Sequence, residues 1–259
     1  MGHKGMENIF RASVYTPLDI ADSHTAKRLW SVLDDPTVAP RRFDSIERAR
    51  LDFDSRNFKP ACDIYSAEDV LFVRGSNAGF KAMFSQLTDT LAKWTFWWNL
   101  EAMAGPTCDS WLNWLYELSR KLPPYYGYAC SVAEYEAKHE IVDADETGST
   151  IRTVGVSAAD FQRFLPGVYW ITIFGMELVD HFGPKLQSLP NTQCVRITPS
   201  QTAVLLNSPV TPKSMNERLR TETHLAELLG SKYFFDRARV DNEYELVPPL
   251  ARTMREASE

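Results

Sequence analysis

Three stretches of the chain carry side chains whose types and spacing could do chemistry. In "GVYWITIFGMELVDHFG" (167–183), Glu177, Asp180 and His181 fall within five positions of each other. A carboxylate and an imidazole one helical turn apart can hold a metal if two or three more ligands arrive from elsewhere. "HEIVD" (139–143) matches half of the helical HExxH zinc motif, but Asp143 stands where the second histidine belongs. "GSNAGFK" (75–81) follows a β-like run as a phosphate loop would, yet it lacks the Gly-Lys-Ser/Thr that grips a nucleotide. Ser200 and Ser208 have no GxSxG context. Each motif is incomplete. On a helix, Leu178, Val179 and Phe182 would share one face while Glu177, Asp180 and His181 share the other, the ordinary division of a solvated helix. No catalytic residue, no metal site and no cofactor is expected from these residues. The rival reading is a metal-dependent hydrolase whose ligands His139, Glu177 and His181 converge only in the folded chain.

The elements that would position these groups can be read from periodicity. Strands are predicted near 11–16, 70–74, 94–99, 126–131, 168–174, 194–198 and 203–207. In "KWTFWWN" (93–99), Trp94, Phe96 and Trp98 alternate with Thr95, Trp97 and Asn99, which predicts a strand covered on both sides. Helices are predicted where Asp22 or Ser23 caps Ala26, Leu29, Trp30 and Leu33, and where Asp109 and Ser110 open onto Trp111, Trp114, Leu115, Leu118 and Leu122. A short helix should follow Gly175. A long one should run from Thr211-Pro212 to Gly230 with Met215, Leu219, Leu225, Leu228 and Leu229 as its apolar positions. Residues 36–59, rich in Pro and charge, read as a long connection with a possible short strand, and 132–148 as a short acidic helical or irregular segment. Strands in hairpin-like succession with helices between them predict an α+β fold: one compact domain over 1–250, a largely antiparallel sheet packed by amphipathic helices, and a polar tail over 251–259.

With 44% hydrophobic residues and 31 aromatic rings in Trp, Tyr and Phe, the 259-residue chain can bury a substantial core. A net charge of −6 disfavours direct contact with nucleic acid or an anionic membrane. No basic-then-apolar leader is read at the N-terminus and no apolar run could span a bilayer, so a cytoplasmic location is expected. Cys62, Cys108, Cys130 and Cys194 form no CxxC pair and are expected as buried free thiols. One stretch departs from neutrality. Glu134, Glu136, Glu140, Asp143, Asp145 and Glu146 face a single Lys138, a local charge of −5 out of −6 for the chain. Such a run is either a solvated surface or a patch complementary to a basic partner.

The block "LPGVYWITIFGMELVDHFG", with "LQSLP" and "AVLLNSP" after it, resembles the immunity proteins encoded beside type VI secretion effectors, in particular the family paired with nuclease toxins. The residues that carry the resemblance are Pro166-Gly167, Tyr169-Trp170, Phe174-Gly175, Glu177 to Asp180, and Phe182-Gly183. It is clearest over 160–210 and extends back to about residue 70. It implies a cytoplasmic protein without chemistry of its own that binds its cognate toxin, with no direct nucleic-acid or membrane contact. If the toxin is a nuclease, its basic groove must hold phosphates. Glu134, Glu136, Glu140, Asp143, Asp145 and Glu146, with Glu177 and Asp180 as a second acidic edge, are then the expected contact residues. A non-catalytic adaptor using an aromatic surface is the further alternative.

Overall fold

The computed structural model describes residues 9–36, 38–75, 79–99, 108–145, 148–153, 156, 161, 163–190, 192–206 and 215–237, with the backbone alone at 108–109, 141–145 and 148–153. The strands are β1 (Ile9–Thr16), β2 (Pro40–Asp44), β3 (Leu51–Asp52), β4 (Val70–Gly75), β5 (Phe80–Thr88), β6 (Leu91–Asn99), β7 (Tyr126–Ser131), β8 (Glu140–Asp145), β9 (Gly148–Thr153), β10 (Ile171–Phe174), β11 (Thr192–Thr198) and β12 (Gln201–Leu206). The helices are α1 (Ser23–Leu33), α2 (Lys59–Glu68), α3 (Cys108–Lys121), α4 (Val132–His139), α5 (Met176–Phe182) and α6 (Met215–Leu229). Ten strands form one sheet in the order β11-β12-β10-β7-β1-β6-β5-β4-β2-β3, and β8 and β9 form a separate hairpin. Every neighbouring pair is antiparallel, which is the α+β architecture expected.

Helices cover both faces of the sheet. On one face Phe10, Ala12 and Val14 of β1 lie beside Trp98, Phe96 and Trp94 of β6, all buried. Against them, α3 lays Trp111 flat on Trp98 with ring centroids 4.2 Å apart, and Trp114 edge-on to Phe96 at 5.1 Å. Stacked and edge-on aromatic pairs add about 0.5–1.5 kcal/mol each beyond the area they bury. Asp22 caps α1 as expected, accepting from the Thr25 amide at 2.7 Å. The other face, carrying Ser13, Tyr15 and Tyr128, is covered near the centre by α4 and by residues 161 and 163–170: Tyr15 stacks on Phe161 at 4.3 Å and Tyr128 on Tyr169 at 4.3 Å. Toward β5, Trp97 is only half-buried, so the expectation of a strand covered on both sides holds for part of β6 alone.

Several elements differ from the sequence reading. The supposed connection at 36–59 contributes β2 and β3, and α2 and β5 were not anticipated. β5 has Phe80, Ala82 and Phe84 buried at every second position, a half-buried strand's pattern that the preceding "GSNAGFK" obscured. The strand expected at 168–174 begins only at Ile171. The apolar positions of α6 also change. Leu225 and Leu229 are buried, but Leu228 is 43% exposed, and the stripe is completed by Arg218 and Glu222. Cys62 and Cys130 are buried free thiols, whereas Cys194 is exposed because it lies on the edge strand β11. The Thr211-Pro212 start of α6 and the 251–259 tail lie outside the described residues.

The turn from β10 into α5 leaves no room for a side chain. A Cβ on Gly175 would overlap the Pro124 carbonyl oxygen and lie 2.7 Å from that of Tyr125. The Gly175 amide meanwhile donates to the Tyr125 carbonyl at 2.9 Å, so the two chains are locked at this separation. Gly175→Ala should therefore destabilise the protein by about 3 kcal/mol, at the upper end for overpacking. Urea unfolding followed by tryptophan fluorescence measures this, and a loss under 1 kcal/mol would show that the turn can open.

Candidate functional site

The acidic segment begins at Ser131, whose hydroxyl accepts from the Glu134 amide at 3.1 Å and caps α4. From there helical spacing sorts the side chains. Glu134 and Lys138, one turn apart, turn toward α6, where Arg218 and Glu222 are also one turn apart. Arg218 Nη1 donates to Glu134 Oε2 at 3.4 Å, and Lys138 Nζ lies 2.5 Å from Glu222 Oε2. Lys138 also donates to the Val168 carbonyl and lies 4.0 Å over the Tyr169 ring. The Glu134 and Glu222 side chains are 1% and 0% exposed. Glu134 is thus withdrawn from the surface, and it cannot serve as a contact for a partner in this fold.

Two carboxylates and two cations would balance if all were ionised. Burial, and then the neighbouring Glu222 carboxylate, push the Glu134 carboxyl well above the glutamate range, so its proton is retained. Among the described residues, Oε1 of Glu134 and Oε1 of Glu222 have no hydrogen-bond partner. The pairing was within reach of the sequence. Glu134/Lys138 and Arg218/Glu222 have opposite order at the same spacing, but nothing in the sequence aligns the two helices.

The other inward face of α4 carries Tyr135 and His139. His139 stacks between Tyr135 and Phe235, at 4.3 and 4.4 Å, and its Nε2 lies 2.7 Å from the Tyr169 hydroxyl. That hydroxyl donates to the Pro166 carbonyl at 3.0 Å, which assigns the proton between them to Nε2 of His139. His139 is thus a core residue, and because α4 ends there and Glu140 starts β8, the HExxH-like string is not helical. His181 lies edge-on to Phe182 and Tyr233, and burial, then Lys185 and Lys232, lower its pKa. Among the described residues no three His, Cys, Asp or Glu side chains converge on a metal-sized site. The set His139, Glu177 and His181 is therefore not assembled.

What remains of the acidic run is distributed as follows. Glu136 and Glu140 are half-buried, β8 carries Asp143 and Asp145, and Glu146 lies outside the described residues. On α5, Asp180 is exposed and Glu177 half-buried, beside Met176 at 54% exposure. A cavity of about 230 Å³ lies between α4, α6 and residues 231–237, lined by Lys138, Val168, Phe234, Phe235 and Arg237 among others. Glu222, paired with Lys138, is also among the residues that line it. One further group escaped the sequence reading. Lys93 is buried on β6 with Nζ 3.4 Å from the Val156 carbonyl, and desolvation, then Arg11, lower its pKa to about 7. Among the described residues no helix is long and apolar enough to cross a membrane.

No family model and no curated protein matches the sequence. Among solved structures the chain is similar to the Pseudomonas aeruginosa T6SS protein PA0821, with a TM-score of 0.55 and 13% sequence identity over 85% of this chain and 75% of that one. At this identity the likeness is one of fold.

The charge quartet can be tested directly. Lys138→Ala leaves the Glu222 carboxylate buried without its cation and should cost about 3–5 kcal/mol. Glu134→Gln replaces a carboxyl already held neutral and should cost little near neutral pH. A folded pKa above the unfolded one gives stability that is complete at pH below the ordinary glutamate range and is lost as pH rises from there through the raised folded pKa. The stability of wild type relative to Glu134→Gln should therefore fall with rising pH, as read by urea unfolding across a pH series. A difference that rises with pH would show Glu134 to be ionised in the folded protein.

Proposed function

We propose that this protein is an immunity protein of a type VI secretion system, which binds a cognate effector in the cytoplasm and blocks it, and that the effector is a nuclease. The observation that carries the reading is the coincidence of two likenesses. The chain adopts a fold similar to that of a T6SS protein, and the sequence block resembling immunity proteins is the block on which this fold turns. Pro166-Gly167 and Tyr169-Trp170 lead into β10, Phe174-Gly175 end it, and Phe182-Gly183 close α5. Gly167, at φ +146, takes a conformation that favours glycine, and its carbonyl accepts from the buried Tyr126 hydroxyl. Tyr169 and Phe174 are both fully buried.

The mechanism of such a protein is occupancy. A nuclease groove presents Lys and Arg to phosphates, and an acidic surface seated there excludes the substrate. With Glu134 withdrawn into the core, the contact is drawn from Glu136, Glu140, Asp143, Asp145 and Glu146, with Glu177 and Asp180 as the second acidic edge. The hairpin of β8 and β9 stands apart from the main sheet, so it can be altered without disturbing the ten-strand register.

Co-expression with the product of the adjacent gene should rescue cells from that product and yield a complex on gel filtration. The triple variant Asp143→Lys, Asp145→Lys, Glu146→Lys should slow association about tenfold at low salt and flatten its salt dependence, as rim charges act on encounter. Stopped-flow association measures this. Unchanged rate and salt dependence would remove this segment from the contact, and failure of the wild type to bind or protect would remove the function itself.

A further inference from the structure

The face of the sheet that carries Arg11 and Tyr15 is covered at its centre and open toward β2. Register places Arg42, Arg74, Lys81, Trp97 and Arg11 in one line across five adjacent strands, each residue paired with the next. Phe72 and Met83 form the line beside it, also directly paired. Arg42 and Arg74 are exposed, and Lys81, Trp97, Phe72 and Met83 are half-buried. A hollow of about 250 Å³ lies over Phe72, Met83 and Trp97, bounded by Arg74, Lys81 and Glu47. Lys81 Nζ sits 5.0 Å over the Trp97 ring, and Arg11 lies between the Trp97 and Tyr135 rings at 5.9 and 3.9 Å, holding the indole in place.

The line already holds two acidic residues, and one of them, Asp52 of β3, lies 3.7 Å from Arg42 Nε with its side chain 91% exposed. Glu47, from the exposed turn at 45–50, places its carboxylate 3.0 Å from Lys81 Nζ, and its main-chain carbonyl accepts from Arg74 Nε at 3.1 Å. Carboxylate on the ammonium and carbonyl on the guanidinium are the contacts an acidic peptide would make. The Glu47 side chain is 63% exposed, so it grips only the rim of the hollow and leaves its floor free.

We propose that this face docks an extended acidic segment of a partner protein, with carboxylates along Arg42, Arg74 and Lys81 and one apolar side chain in the hollow over Phe72, Met83 and Trp97. Glu47 is an intramolecular stand-in that an incoming segment displaces. The line spans four inter-strand spacings, roughly 19 Å, which about six extended residues cover. Nucleic acid fits less well. It brings a phosphate at every nucleotide to a chain of net charge −6, and Asp44 and Asp52 flank the line. The surface is opposite in sign to the acidic run assigned to the effector and does not rest on that assignment.

Fluorescence anisotropy with three labelled probes tests the proposal: a short Glu/Leu peptide, the same peptide with Lys for Glu, and a single-stranded oligonucleotide. The wild type should bind the acidic peptide in preference to both others. Combined Arg42→Glu, Arg74→Glu and Lys81→Glu should weaken that binding at least tenfold, with an unchanged circular-dichroism spectrum. Glu47→Ala, which removes the stand-in, should strengthen it several-fold, a gain that misfolding cannot produce. If the triple variant does not fold, Arg74→Ala at an exposed position replaces it and should weaken binding. No binding of the acidic peptide, equal binding of both peptides, no response to Glu47→Ala, or tighter binding of the oligonucleotide would each overturn the proposal.

Discussion

The fold depends on a strand that has no free side. β7 is bonded to β1 on one edge and to β10 on the other, and all six of its residues are buried. A strand in this position cannot alternate apolar with solvated residues, because neither face meets water. Its polar groups can find partners only inside the protein, and the Tyr128 hydroxyl is left without one among the described residues. The Tyr126 hydroxyl goes to the Gly167 carbonyl, and beside it Ser13 and Thr95 share a hydrogen bond at 3.2 Å while Thr172 accepts from the Tyr169 amide at 2.9 Å. An unpaired group here would cost about 1–3 kcal/mol. Residues 163–170, which supply several of these partners, are thereby held against the sheet, and so is the turn into α5.

The same burial governs where charge is found. Most of the formal −6 belongs to the segment that becomes α4 and β8. The helix turns the first of those carboxyls inward to meet Arg218, and Lys138 inward to meet Glu222. An ion pair at the protein surface contributes little, but removing one partner of a buried pair such as Lys138–Glu222 is costly, so that pair helps to fix how α6 sits on α4. The surface left behind is less acidic at α4 than the sequence indicates. On the open part of the sheet, register gathers Arg42, Arg74 and Lys81 from three separate strands into a cationic line. A chain of net negative charge thus presents a local surface of the opposite sign.

Both surfaces suit association with another protein, and neither requires a reacting group. The residues that could have supplied chemistry are used structurally: His139 closes an aromatic stack, and His181 packs edge-on to Phe182 and Tyr233.

The sequence by itself determined the class of fold, the seven strands recognised by alternation and the helices α1, α3 and α5. These follow from contacts within a few residues: the Asp22 cap, the Trp111/Trp114/Leu118 stripe, the glycine at 175. Only the tertiary structure decided that Glu134 is buried and Glu136 is not, that Arg218 and Glu222 belong to the stripe of α6, and that β5 completes the sheet. It alone aligned Arg42 with Arg74 and Lys81. Each of these outcomes depends on a partner far away in the chain, such as Glu134 with Arg218, 84 positions apart. Local spacing states which side chains share a helix face or a strand face, but not which other element that face will meet. The sign and the accessibility of a surface are set by that second element.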